Sequence, residues 1–334
     1  MKNKIATAKL ERQIIKSMKS FLEKEDFFEI FPPKIVRASG ACENIDTLFE
    51  VGVEGNLHWF NPKNPHRVYL SQTAQLYLEA FTPYLEKIYS IGPSFRAEAG
   101  DDNRHLTEFT LLEIEFSGKF KKLLKYIEGT IYSAVKDILL LSEKERKAMN
   151  IEKKDIERLK KISIPFPAIT YNEAVEILDI PFGDDISPED EQKLTQEFDN
   201  QPLFITHFPN PLVDFGKEIE VEKFFNMMPD PEDKKKILSC DLILPFGGEA
   251  VGAAQRVHDP KELKWRLKNS KMFKRLQEKG GKLSDFNWYF QKMEEKSIPH
   301  SGCGFGVGRI LEFIKGKDDI RKVITFPLNQ ASII

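Results

Sequence analysis

FRAEAGDDNRHLTEF, residues 95–109, carries two arginines, a histidine and several acids between two aromatic residues. The flanking runs KIYSIG (87–92) and TLLEIEFSG (110–118) are rich in β-branched and aromatic residues. Such runs predict two antiparallel strands, with the polar GDDNR segment as the loop between them. The quoted stretch therefore sits at a hairpin tip. Arg96 leaves the first strand near Glu98, Arg104 and His105 begin the return, and Phe109 lies on the second strand. An arginine fork holds phosphate oxygens, a carboxylate accepts an exocyclic amine, and an aromatic ring stacks on a base. These are the parts of a nucleotide site, although a solvated charged hairpin would read the same in isolation.

Outward toward the N-terminus, Leu10, Ile14, Met18 and Leu22 recur every four residues among lysines and glutamates. The spacing predicts an amphipathic helix over about residues 5–24. FFEIFPP (27–33) follows as a short strand stopped by Pro32 and Pro33, because proline cannot donate to a ladder. In the other direction, residues 118–163 have helical spacing and many charges, and are expected to form exposed helices on one edge. PFPAITYNEAVEIL (165–178) reads as a turn and a helix capped by Thr170 with Glu173. PLFITHFP (202–209) and CDLILPFG (240–247) read as strands, and residues 261–296 as a charged helical stretch. PHSGCGFGVGRILEFI (299–314) reads as a glycine-rich turn entering a helix. With no linker, repeat or low-complexity segment, one α+β domain over residues 1–334 with a central antiparallel sheet is expected.

The chain has 334 residues, with Lys+Arg 50 against Asp+Glu 52 and a net charge of -2. That balance provides no global positive field to draw in nucleic acid. Cys42, Cys240 and Cys303 form no CxxC pair, so free thiols in a reducing cytoplasm are expected rather than a zinc site. No run approaches the roughly 20 apolar residues that span a bilayer, so no membrane partner is expected.

Two more groups of residues carry chemistry. Gly302, Gly304, Gly306 and Gly308 precede Arg309 at a helix start, where backbone can approach a ligand and the helix N-terminus favours anions. Asp241 and Glu249 flank a strand and turn, and two carboxylates beside a phosphate site suit magnesium, which keeps substrate phosphates among its ligands.

Together these motifs resemble the class II aminoacyl-tRNA synthetases. The opening helix, strand and Pro33 look like motif 1, FRAE through RHLTEF like motif 2, and GFGVGR like motif 3. The aspartyl and asparaginyl branch is most similar: ACENIDTLF (41–49) resembles its substrate loop, LSQTAQLYLEAF (70–81) its substrate helix, and PFPAITYNEAVEIL with FGDD its middle segment. The resemblance implies a class II antiparallel sheet flanked by helices, ATP and Mg2+, and a homodimer built through motif 1. By position, Arg96 would hold the α-phosphate and the activated carboxylate, and Glu98 the adenine amine. Arg104 and His105 would reach the outer phosphates, Leu106 and Phe109 would line the adenine site with Phe109 stacking, and Arg309 would cover the other face and the γ-phosphate. Asp241 and Glu249 would carry magnesium. Glu43, Gln75, Glu113 and Gly302 would surround the substrate, and Arg256 would pair with the carboxylate that is not activated.

Several positions depart from the family. Leu78 stands where aspartyl enzymes have lysine, which places the pocket on the asparaginyl side. Gly308 replaces the glutamate that precedes the motif 3 arginine, Gly216 a common tyrosine, and Ala253 and Ala254 two glycines of the substrate strand. The chain also starts at motif 1, without the anticodon-binding barrel of that branch. On these grounds the expected activity is that of an archaeal-type, AMP-forming asparagine synthetase. L-aspartate would be activated as β-aspartyl-AMP and discharged by ammonia, with tRNA an unlikely partner. The alternatives are transfer of an aminoacyl group to tRNA, protein or a small amine, and a catalytically silent regulatory relative.

Overall fold

A computed structural model describes residues 1–37, 45–54, 56, 59–60, 67–99 and 102–331. Its ten strands, in chain order, are β1 Phe28–Glu29, β2 Ile35–Val36, β3 Tyr69–Leu70, β4 Lys87–Phe95, β5 Glu108–Ser117, β6 Ala168–Thr170, β7 Leu203–Thr206, β8 Ser239–Leu244, β9 Gly248–Gln255 and β10 His300–Gly306. Eight of them form one sheet in the order β1-β4-β5-β10-β9-β8-β7-β6, and β2 pairs with β3 apart from it. The sheet is antiparallel through its centre and parallel only at its edges, where β1 meets β4 and β6 meets β7. Flanked by helices, this is an α+β fold.

The quoted hairpin forms as its pattern predicts. β4 and β5 run antiparallel from Lys87 opposite Phe116 to Phe95 opposite Glu108. Beyond that register the Arg96 N–H still donates to the Thr107 carbonyl at 2.9 Å, and Ala97 N–H to the Thr47 carbonyl at 2.8 Å. The loop is also tied to the C-terminal region: Asn103 Nδ2 donates to the Asp318 carbonyl at 2.7 Å, and Ile320 N–H donates to the Asn103 carbonyl at 2.9 Å.

One face of the sheet carries the helix α1, Lys2–Lys24, and the helix α3, Phe120–Leu140. α1 buries Leu10, Ile14, Met18 and Leu22, the residues whose spacing predicted it, and starts three residues earlier than expected. α3 corrects the expectation of exposed helices. Leu123, Ile127, Ile131, Val135 and Ile138 are buried along one stripe, so the lysines and glutamates of this segment cover only its solvent side. The opposite face holds a second apolar cluster that includes Phe224, Phe225, Phe273, Phe286 and Tyr289. Helices Pro260–Asn269, Lys271–Glu278 and Asn287–Glu295 fill the stretch expected to be helical. Thr170 and Glu173 form the anticipated capping box on helix Tyr171–Leu178.

The second correction concerns PHSGCGFG. It is not a turn but a central strand, β10, paired with β5 on one side and β9 on the other. One of its glycines, Gly302, is required by its neighbour. A Cβ on Gly302 would come within 2.1 Å of the Glu115 carboxyl, so this position must lack a side chain if Glu115 is to lie across β10. The helix that follows, Val307–Lys315, starts where the strand ends.

Candidate active site

A cavity of about 310 Å3 opens on the face of the sheet formed by β5, β9 and β10. The substrate helix α2, Gln75–Leu85, lies beside it. Arg96, Glu98, Arg104, His105, Leu106 and Phe109 from the hairpin all line the cavity, together with Glu249 and Arg309. From the amino-acid set, Gln75, Glu113 and Arg256 also line it, as does Leu78. Glu43 lies outside the described residues.

At the hairpin end the guanidinium of Arg96 sits 5.5 Å over the Phe109 ring, which holds a cation and a stacking surface side by side. Asp102 orders the returning strand. Its Oδ1 accepts the N–H groups of Arg104 and His105 at 2.8 and 2.7 Å, and its Oδ2 lies 2.7 Å from His105 Nδ1. Burial works to raise the Asp102 carboxyl, but His105 and the two backbone donors outweigh it and hold it near 2. Arg309 is backed by the buried Glu312 at 3.5 Å. Burial pushes the Glu312 carboxyl up to about 8 despite the Arg309 and Arg104 charges beside it.

The other end is a buried polar lattice. Arg256 Nη2 and Nε contact Oε1 of Glu115 at 2.8 and 2.9 Å. Glu115 Oε2 is buried without a hydrogen-bond partner. Behind this pair, Glu79 accepts from Gln75 Nε2 at 2.7 Å, Asn226 Nδ2 at 2.6 Å and the Tyr289 hydroxyl at 2.6 Å. His300 Nε2 lies 3.3 Å from it. Burial alone would raise the Glu79 carboxyl, yet His300, Arg256 and Tyr289 together hold it below the usual range. Burial works to lower His300, but Glu79 outweighs it and keeps the imidazole above its ordinary value, in a contact sealed from water. Glu115 has less compensation, and burial pushes it up to about 7 against the pull of Arg256.

Some assigned positions also carry structural contacts. Glu113 spends its carboxylate on the start of α2, accepting the Ala74 N–H at 3.0 and 2.9 Å and the Thr73 hydroxyl. Gly302 does not line the cavity; it makes room for Glu115. Gly216, Ala253 and Ala254 also lie outside the lining, which includes Phe224 and Met227 instead. At Gly308 a Cβ would meet Ile320 Cδ1 at 2.7 Å, so an isoleucine fills the space where the motif 3 glutamate would project.

Glu115, Glu79, His300 and Asn226 were not assigned from sequence. Two of them had a signal. Glu113 and Glu115 are two residues apart on one strand and share its face, and Gln75 and Glu79 are four apart on one helix.

For magnesium, Glu249 is a hard oxygen donor facing the cavity. Asp241 is on the adjacent strand opposite Gly252, but its Oδ2 is held by Lys223 Nζ at 2.6 Å and it does not line the cavity. Among the described residues no group of three or more His, Cys, Asp and Glu side chains is placed to hold a metal. The donors fit an ion bound chiefly through substrate phosphates, which Glu249 would hold from the protein side.

Motif 2 and motif 3 arginines at one end of a cavity, with a buried lattice of charged side chains at the other and one antiparallel sheet beneath both, match the class II aminoacyl-tRNA synthetase catalytic domain. The chain belongs to that family: the tRNA synthetases class II (D, K and N) match residues 2–330. It is 35% identical over 335 aligned positions to the asparagine--tRNA ligase of Pyrococcus furiosus, covering 98% of this chain and 69% of that protein. The asparagine--tRNA ligase of Desulforamulus reducens is 33% identical over 96% of this chain and 68% of its own length. The crystal structure of asparaginyl-tRNA synthetase from Pyrococcus horikoshii complexed with asparaginyl-adenylate superimposes with a TM-score of 0.83 at 34% identity, covering 99% of this chain and 70% of that one.

Proposed function

We propose that the chain adenylates an amino acid of the aspartate and asparagine pair. The observation that carries this reading is the single cavity with Arg96, Arg104 and Arg309 at one end and the Arg256–Glu115 pair at the other. In this reaction a carboxylate oxygen of the amino acid attacks the α-phosphorus of ATP and the bond to pyrophosphate breaks. Arg96 compensates charge at the α-phosphate, and Arg104, His105 and Arg309 hold the outer phosphates. Phe109 stacks on adenine, Leu106 packs beside it, and Glu98 accepts its amine. Magnesium, held through Glu249, would add neutralisation of the phosphate charges. No side-chain nucleophile is needed.

The amino-acid end favours asparagine. Arg256 is a donor beside an acceptor, Glu115, whose Oε2 has no partner, and a carboxamide offers the complementary oxygen and N–H. Asparagine would then be activated at its α-carboxylate and passed to tRNA, the acceptor in the names of the relatives. The earlier expectation against tRNA gains no support. The same pair favours a second reading, because a cation beside a carboxylate also fits the α-carboxylate and α-ammonium of aspartate. In that case the β-carboxylate becomes β-aspartyl-AMP and ammonia discharges it to asparagine.

Pyrophosphate exchange into ATP, measured with asparagine and with aspartate, tests adenylation; folded protein that exchanges with neither overturns it. Discharge by tRNA or by ammonium then separates the two readings. We also infer a homodimer through the β1 edge, where Phe28 and Phe31 are 60% and 82% exposed. Light scattering checks it. Among the described residues no helix is long and apolar enough to cross a membrane, and ATP-dependent chemistry of this kind suits the cytoplasm.

A further inference from the structure

At the phosphate end, Arg104 and Arg309 lie near enough for the charge of Arg104 to disfavour that of Arg309. Something must hold Arg104 in place against that repulsion. Its Nη2 donates to Oε2 of Glu191 at 2.9 Å. Glu191 belongs to helix Pro188–Glu197 in the middle segment, where the Ser187 hydroxyl caps the first turn and Pro188 opens it. Its side chain is only 8% exposed, and it is not among the residues lining the cavity. It reaches Arg104 from behind.

The helix is fastened there by two further bonds. Glu191 Oε1 accepts the Glu249 N–H at 3.3 Å, and Gln192 Oε1 accepts the Phe246 N–H at 2.8 Å. Phe246 lies in the turn between β8 and β9, and Glu249 is the second residue of β9. Gly248 stands between them at φ +65, and a Cβ on it would come 2.5 Å from Glu191 Oε2 and 2.8 Å from Arg104 Nη2. The ion pair thus lies flush against this turn, in space that a side chain would fill. Arg104 Nε is buried with no hydrogen-bond partner, so the guanidinium retains donor capacity beyond Glu191.

We propose that Glu191 is the positioning residue for the triphosphate end: it anchors one edge of Arg104 from outside the cavity so that the remaining donors face the outer phosphates of ATP. The proposal rests on the ATP reading given above. The geometry disfavours a carboxylate that competes with phosphate, since such a group would line the cavity.

Calorimetric binding of Mg-ATP and of AMP, without amino acid, tests the idea. AMP has no outer phosphates, so it reports general damage. Glu191→Ala should weaken ATP by about tenfold, the order expected for one charge-assisted hydrogen bond, and leave AMP unchanged. Glu191→Gln, which keeps an acceptor in place, should recover part of the loss and guards against a misfolded alanine variant. Arg104→Ala should show the same selective loss, and the double variant should cost no more than Arg104→Ala alone. Equal losses for ATP and AMP, unchanged ATP binding, tighter ATP binding or additive losses would each overturn the proposal. Wild-type protein that binds neither nucleotide would instead defeat the ATP reading, and the proposal with it.

Discussion

The two ends of the cavity are built on different principles. The nucleotide end takes six lining residues from the stretch 96–109, and part of it is open: His105 and Asp102 have side-chain exposures of 50% and 49%. At the amino-acid end, Arg256, Glu115, Glu79 and His300 are at most 5% exposed and come from the residue just after β9, from β5, from α2 and from β10. A partly solvated arginine can meet phosphate without reorganising its neighbours. A sealed lattice of charges offers no such freedom, because removal of any member leaves another buried and unpaired.

That contrast can be broken experimentally. Arg256→Ala should give the largest effect: pyrophosphate exchange should fall by roughly 100-fold or more, as expected for truncating one partner of a buried charge pair. ATP binding should persist, because the nucleotide end stands apart from that lattice. If ATP affinity falls equally, the two ends are not independent.

Glu79→Ala should act on the fold more than on the chemistry. Loss of its carboxylate leaves Arg256, Asn226, Tyr289 and His300 short of a buried partner, a destabilisation of about 3–5 kcal/mol by denaturant unfolding. Ile14→Ala, which opens a cavity in the helix face of the sheet, should cost about 2–5 kcal/mol by the same measurement while leaving both ends intact.

Gly302→Ala sharpens the comparison without removing a charge. The new methyl would push the Glu115 carboxyl aside, so KM for the amino acid should rise by about tenfold, the scale of a lost polar contact, with KM for ATP unmoved. Unchanged amino-acid KM would show that Glu115 does not touch the substrate.

The smallest effect is one of pH. With its carboxyl raised to about 7, Glu115 is ionised above that value and repels an aspartate side chain; below it, the protonated acid tolerates a carboxylate. Preference for asparagine over aspartate in pyrophosphate exchange should therefore narrow as pH falls through 7. A preference that stays flat across that range would assign the discrimination to other groups.

Much of the nucleotide end was legible because its residues are close in sequence and their types match phosphate, amine and base directly. Runs of β-branched and aromatic residues on either side of a polar loop also placed β4 and β5, and the spacing of four placed α1. The misreadings have physical causes. Residues 299–306 look like a flexible turn because glycine usually marks one, whereas here β10 is squeezed between β5 and β9, and Gly302 must yield space to Glu115. The lysines of 118–163 suggest a solvated edge, but in α3 they occupy only the outer face of a helix whose other face is core.

The sequence by itself determined the order of the three motifs, the strands beside the hairpin and the residue types that suit a nucleotide, since each depends on short-range periodicity or on adjacent side chains. Only the tertiary structure decided how Arg256, Glu115, Glu79 and His300 divide their charges, and that Glu191 stands behind Arg104. Ion pairing across separate elements and the burial that shifts a carboxyl are set by distances between residues far apart in the chain, such as the 2.9 Å between Arg104 and Glu191.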